Sequence, residues 1–335
     1  MKGLNIILSI FLLWNTAVIA QKRLVVAADG SGDFTSIQEA IDKIESGPVV
    51  TTIHIKKGIY NEKLFIEKPN IIFEGEGQDA TVITFAVARD EFRCDHADDW
   101  GVATMNVRAN DITLKDLTIT NSFGFDFTGE RTIACPLDSV NKEKKITKNG
   151  HQMALRVMFA SRLKAVNCMF RSFAGDTVSP WETDSGYWYF KDCVMEGGVD
   201  FYCPRGWAWA ENCKFICHGG SASIWHDGSQ HEDSKTVLVN CQFSGFKGFK
   251  LGRYHRDAQF FLVNCRFSEN MADTPIYRVP TSNIIQWGHR VYFSNCHRTV
   301  APEFSWYADN LPAGLKPSDI TVKWLFKDQW HPEKN

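Results

Sequence analysis

Asn167-Cys168-Met169-Phe170, Asn212-Cys213-Lys214-Phe215, Asn240-Cys241-Gln242-Phe243 and Asn264-Cys265-Arg266-Phe267 are four copies of one tetrapeptide, N-C-x-F. Asp192-Cys193-Val194-Met195 and Asn295-Cys296-His297 are weaker copies, and the six cysteines lie 25, 20, 28, 24 and 31 residues apart. Self-similarity at such a period marks a solenoid, in which each unit buries its apolar face against its neighbours. Side chains of an extended chain alternate between two faces, so Cys and Phe share one face and Asn takes the other. The apolar face becomes the interior. A column of buried thiols follows, because free Cys behaves as a small hydrophobe. The amides on the other side are placed to bond from turn to turn or to the backbone. Metal binding is the competing use of repeated cysteines, but no CxxC pair or His-rich cluster accompanies them.

Working outward, Val49 to Ile55, Asn70-Ile71-Ile72-Phe73 and Asp111 to Ile119 are β-branched, alternating and punctuated by Gly, Asn and Asp. One helix is expected near the start. Thr35 with Gln38 has the form of a capping box, and Ile37, Ala40, Ile41 and Ile44 make an i, i+3, i+4, i+7 stripe. Such a helix would cover the open end of a solenoid, where backbone and interior are otherwise exposed. The fold expected over 21–335 is one right-handed parallel β-helix, all-β apart from that short N-terminal capping helix. Long loops fall at 86–101 and 123–150, and no linker divides the chain. Cys94 and Cys135 lie in those loops, outside the ladder, and are the one candidate disulfide pair.

The 335 residues are 44% hydrophobic and 23% charged, a globular composition. Lys plus Arg total 37 against 39 Asp plus Glu, so the balance of −2 favours neither nucleic acid nor an acidic membrane as partner. Aromatics reach 13% with 11 Trp, a surplus suited to holding flat sugar faces as well as filling core. Leu4 to Ala20 is mostly apolar, follows Lys2 and ends in a small residue, which reads as a signal peptide over 1–20. The run is shorter than the ~20 residues a membrane span needs. The expected mature protein is secreted or periplasmic.

Six motifs in order resemble those of the pectin methylesterase (pectinesterase) family. They are Ala27 to Ile41, Gly58-Ile59-Tyr60-Asn61-Glu62-Lys63, Gln152-Met153-Ala154-Leu155-Arg156-Val157, Gly175-Asp176-Thr177, Gly198-Val199-Asp200-Phe201 and Leu251-Gly252-Arg253. The resemblance implies the parallel β-helix reached above from periodicity. It also implies hydrolysis of methyl esters on galacturonate units of pectin, with no metal or other cofactor. The expected partner is a pectic polysaccharide or oligosaccharide, and the expected state a monomer.

Gln152, Asp176 and Asp200 are 24 and 24 residues apart, close to one solenoid turn. Adjacent turns stack at ~4.8 Å, so the two carboxylates repel and tend to divide one proton between them. That division suits an acid and a nucleophile. By resemblance, Asp200 attacks the ester carbonyl, Asp176 protonates departing methanol and then activates water, Gln152 donates to the oxyanion, and Arg253 pairs with Asp200. Substrate contacts are expected from His255, Tyr254, Phe201 and Arg205, while Trp181, Trp188, Trp207, Trp209 and Trp225 are candidate sugar platforms.

The chain departs from the family pattern around these residues. Where the family has Gln-Asp-Thr, this chain has Gly175-Asp176-Thr177, so one amide donor is missing. Where the family follows Leu-Gly-Arg with Pro-Trp, Tyr254-His255 stand here, and Val-Asp-Phe-Ile-Phe-Gly becomes Val199-Asp200-Phe201-Tyr202-Cys203-Pro204. A backbone N–H, His255 or His226 is expected to replace the missing donor, and the vacated space points to a decorated pectic substrate. Two other classes stand beside this reading: another pectin-active β-helix, lyase or glycosidase, and a non-catalytic pectin-binding β-helix. A lyase would want clustered acidic oxygens for calcium, and only Asp95, Asp98 and Asp99 lie together, in a loop.

Overall fold

The computed structural model describes residues 21–334, so the signal peptide read at 1–20 lies outside the described residues. Parallel strands wind into three faces. The first sheet has ten strands, from Gln21–Val26 to Val291–Ser294, and the second has nine, from Gly58–Asn61 to His297–Arg298. The third is broken into a four-strand piece ending at Val178–Trp181 and a three-strand piece beginning at Ala222–Trp225. Single bridges from Tyr202 to Val178 and to Ile224 span the break. This is the expected right-handed parallel β-helix.

The N-C-x-F copies sit where the first sheet turns into the second. Register carries Ile119, Phe170, Met195, Phe215, Phe243 and Phe267 into one column, each paired with the next and all buried. The six ladder cysteines are buried and unbridged beside them. Their thiols bond to carbonyls of their own turn and the turn before: Cys213 Sγ to Glu211 O at 3.3 Å and Phe190 O at 3.7 Å. Burial raises the pKa of the Cys168, Cys193, Cys213 and Cys241 thiols, which keeps them protonated donors.

The residue before each Cys is Asn or Asp for a backbone reason. Asn167, Asp192, Asn212, Asn240, Asn264 and Asn295 all have φ between 51° and 55°, the left-handed region that these short polar side chains tolerate best after glycine. Turned outward, they bond along the axis. Asn295 donates to Asn264 at 2.7 Å, Asn264 to Asn240 at 3.2 Å and Asn212 to Asp192 at 3.1 Å.

The expected helix forms at Ile37–Asp42 and buries Ile37, Ala40 and Ile41, but its cap is Ser36 rather than Thr35. Ser36 Oγ accepts from Glu39 N at 3.3 Å. Glu62 also accepts from Ser36 Oγ and from the Ile37 and Gln38 amides at 2.7–3.0 Å, placing a carboxylate at the positive helix start.

The two long loops acquire structure of their own. The first carries the helical turn Arg89–Phe92, and the second a hairpin of Arg131–Ala134 with Glu143–Ile146. The expected Cys94–Cys135 disulfide ties them, helped by Arg131 with Glu91 and by Lys144 with Asp90 at 3.4 Å. At the other end, the helix Val322–Phe326 lays Leu325 and Phe326 on an apolar outer patch that includes Tyr189, Trp207, Trp209 and Phe261. Trp207 and Trp209 are therefore packing residues, and Trp188 is core.

Candidate active site

The break in the third sheet makes the site. Pro204 has no amide hydrogen to give a ladder, and Asp200 takes φ 45°, so the chain leaves strand geometry there. Asp176, one turn earlier, has φ 59°. Backbone bridges align His151 with Gly175 and Gly175 with Val199, so Asp176 and Asp200 follow equivalent positions on adjacent turns. The shared left-handed bend turns both carboxylates outward, into a cleft of about 500 Å³.

Asp200 is held by a fork. Arg253 Nε donates to Oδ1 at 3.0 Å and Nη2 to Oδ2 at 2.6 Å, the bidentate geometry that fixes a carboxylate's orientation. The guanidinium lies 5.4 Å from the centre of the Trp225 ring. Burial raises the Asp200 pKa above the ordinary carboxylate value. Arg253 opposes this, Asp176 reinforces it, and the net direction is upward.

A second group of side chains lines the same cleft. Two guanidinium groups approach the Trp181 ring, with Arg205 4.1 Å and Arg156 4.7 Å from its centre. Arg205 is buried and donates to Cys203 O at 2.6 Å, with no carboxylate partner among the described residues. An uncompensated buried cation is costly, so this one is suited to an anionic ligand. His255 stands edge-on to Trp225 and reaches Asp227 at 2.9 Å. Cys203 also lines the cleft, but burial raises its thiol pKa and leaves it a poor nucleophile.

The structure brings Asp176, Asp200, Arg253, Arg205 and His255 together in the cleft. It keeps four expected residues out. Gln152 is fully buried, its Nε2 donating to Lys148 O at 2.5 Å and its Oε1 accepting from Gly124 N at 3.1 Å. It shares the 24-residue phase of the two aspartates but lacks their left-handed backbone, so its side chain goes beneath the loop instead of into the cleft. Phe201 is core, as alternation from Asp200 requires. Tyr254 is likewise core, its hydroxyl 2.6 Å from His289 Nδ1. His226, offered as a substitute donor, is buried with Nε2 on Gly206 O at 2.9 Å, and burial pushes its pKa down to about 3.

Sequence reasoning missed His151, Arg156 and Arg89. Simple alternation hides His151, which shares parity with the core residues Leu155 and Val157. The pairing offset to the next turn changes from 24 residues at His151–Gly175 to 23 at Leu155–Val178, and that shift breaks the alternation. Asp99, one of the three acids of the calcium reading, is held by Arg89 at 3.0 Å, Arg93 at 3.1 Å and Arg156 at 3.5 Å. Burial alone would raise its pKa, but the three arginines bring it below the ordinary value.

Fold and cleft together define a parallel β-helix with a paired-carboxylate site on its third sheet. A family model described as Pectinesterase matches residues 23–158. Among curated proteins, the chain is 28% identical to probable pectinesterase 55 of Arabidopsis thaliana, over 69% of this chain and 65% of that one. It is 29% identical to putative pectinesterase 11 of the same plant, over 72% and 59%. The chain thus spans somewhat less than two thirds of the length of such relatives. Among solved structures, pectin methylesterase PemA from Erwinia chrysanthemi superposes with a TM-score of 0.72 at 20% identity, covering 93% of this chain and 98% of that one. A pectin methylesterase in complex with a hexasaccharide gives 0.71 at 21%, covering 92% and 98%. The chain is thus similar to pectinesterases in sequence over part of its length, and to pectin methylesterases in fold over nearly all of it.

Proposed function

We propose that this protein is a carboxylic ester hydrolase that removes methyl esters from galacturonate units of pectin or of a decorated pectic oligosaccharide. The observation that carries the reading is the outward-facing pair Asp176 and Asp200 on adjacent turns, with Asp200 clamped by Arg253. Asp200 attacks the ester carbonyl and forms an acyl-enzyme. Asp176 gives its proton to departing methanol, then takes one from the water that releases the galacturonate. Trp181 and Trp225 offer faces to sugar rings, and Arg205 offers its charge to a free carboxylate on a neighbouring unit. His255 completes the wall. The apolar run at 1–20 and the Cys94–Cys135 disulfide favour an exported protein. Among the described residues no helix is long and apolar enough to cross a membrane.

The test is methanol release from methylated pectin fragments. Asp200→Asn and Asp176→Asn should each lower turnover, Asp200→Asn by at least ~10³-fold, because what remains rests on binding and oxyanion stabilisation. Near wild-type turnover in either variant would overturn the roles.

A further inference from the structure

The cleft holds two carboxylates and a clamp, but the amide expected to meet the oxyanion is elsewhere. When Asp200 adds to the ester carbon, the carbonyl π pair moves onto oxygen, and an N–H placed there stabilises the charge. Gln152 has spent both ends of its amide on Lys148 and Gly124. Gly175 has no side chain to give.

The room left by Gly175 is already taken. A Cβ at 175 would stand 3.0 Å from His151 Cδ2, 2.9 Å from Val199 Cγ1 and 3.0 Å from Val199 O. The His151 ring therefore lies over the bare backbone of Gly175, and a Gln at 175 would compete with it for the same space. His151 Nδ1 is 3.9 Å from Asp176 Oδ2, and the ring lines the cleft with Asp176, Asp200 and Arg253. That 3.9 Å approach is the ring's one polar side-chain contact among the described residues. An imidazole carries at least one N–H in either protonation state, so this ring has a donor to offer to substrate.

We infer that His151 is a catalytic residue of this protein, the side-chain donor to the tetrahedral oxyanion, and that glycine at 175 is what makes room for it. The inference rests on the esterase reading. The step is balanced without further reagents. Asp200 forms the C–O bond, the oxyanion accepts a hydrogen bond from the His151 ring, collapse restores the C=O, and methoxide leaves with the proton of Asp176. Water then attacks the acyl-enzyme through a second oxyanion at the same position.

The experiment compares wild type with His151→Leu and His151→Gln on methylated oligogalacturonides, reading methanol release. Loss of one such donor lowers kcat by ~10²–10³-fold in other enzymes. His151→Leu should show a loss of that order in kcat with KM changed by less than about threefold, since the donor acts in the transition state. His151→Gln returns an N–H from the same backbone position and should recover at least about tenfold of the loss. Both variants should match the wild type in circular dichroism and melting temperature, because the ring is half exposed. His151→Leu with kcat within threefold of wild type would overturn the inference. So would equal losses in the two folded variants, or a loss confined to KM. If instead the wild type releases no methanol, the esterase reading fails, and this inference falls with it.

Discussion

The Asn-Cys edge of the solenoid and its cleft use the same backbone device for opposite ends. At the edge, Asn212, Asn240, Asn264 and Asn295 sit at φ 51–55°, turn outward and meet a copy of themselves one turn away. At the cleft, Asp176 and Asp200 sit at φ 59° and 45°, turn outward, and meet a like charge. An amide both donates and accepts, so a stack of amides satisfies itself; a stack of carboxylates only accepts. The shortfall at the cleft is met on one side by the Arg253 fork and on the other is left to substrate. A repeat becomes a site where the self-satisfying group is exchanged for a charged one and the sheet is broken so that ligand can reach it.

If the two regions are separable, damage to the column should cost stability and spare chemistry. Phe215 is buried and stacked on Phe243 at 4.6 Å, so Phe215→Ala should lower unfolding stability by about 3–5 kcal/mol. Denaturant titration checks this. Methanol release per folded molecule should be unchanged, and a parallel fall in kcat would show that the column and the cleft are coupled.

An intermediate effect is expected at the clamp. The proposed mechanism needs Asp200 as an anion, and its pKa is raised, so kcat/KM should fall on acidification at a higher pH than an ordinary aspartate would give. Arg253 lowers that pKa, so Arg253→Gln should move the acid limb further upward. Its pH-independent rate should also fall by about tenfold or more with the loss of charge-assisted bonds worth ~1.5–3 kcal/mol. A pH profile with the limb unmoved, or moved down, would remove Arg253 from the account.

The smallest effect belongs to a single rung. Asn240→Ala places a Cβ-bearing residue without a local amide at φ 55°, at a cost of about 1–2 kcal/mol. Asn240→Gly should cost less, since glycine adopts that backbone freely. Equal melting temperatures for the two variants would mean that the amide stack, and not the backbone, selects Asn.

The fold was legible because it is repeated. Six spaced cysteines with alternating neighbours announce a stack, and the lone pair Cys94 and Cys135 stands out against it. The candidate cleft was legible where its residues share the repeat's phase and backbone, as Asp176 and Asp200 do. It was misread where phase and backbone part company. Gln152 keeps the 24-residue spacing without the left-handed bend, so its amide is buried and its neighbour His151 faces the cleft. Phe201 and Tyr254 belong to the motif segments of Asp200 and Arg253, but adjacent residues of a strand face opposite ways, so both turn into the core. Which tryptophans reach the cleft depends on which sheet carries them: Trp181 and Trp225 lie on the third sheet, whereas Trp207 and Trp209 lie on the first, beneath the C-terminal helix, and no local pattern encodes that difference.

The central claim is that the carboxylate pair removes methyl groups and leaves the sugar chain whole. The direct measurement is mass spectrometry of a methylated oligogalacturonide after incubation with wild-type protein, alongside a methanol assay. The account predicts one methanol per event and products that differ from the substrate only by successive losses of CH2, at constant chain length. Shortened or unsaturated chains, or intact ester recovered bound to the protein, would contradict it.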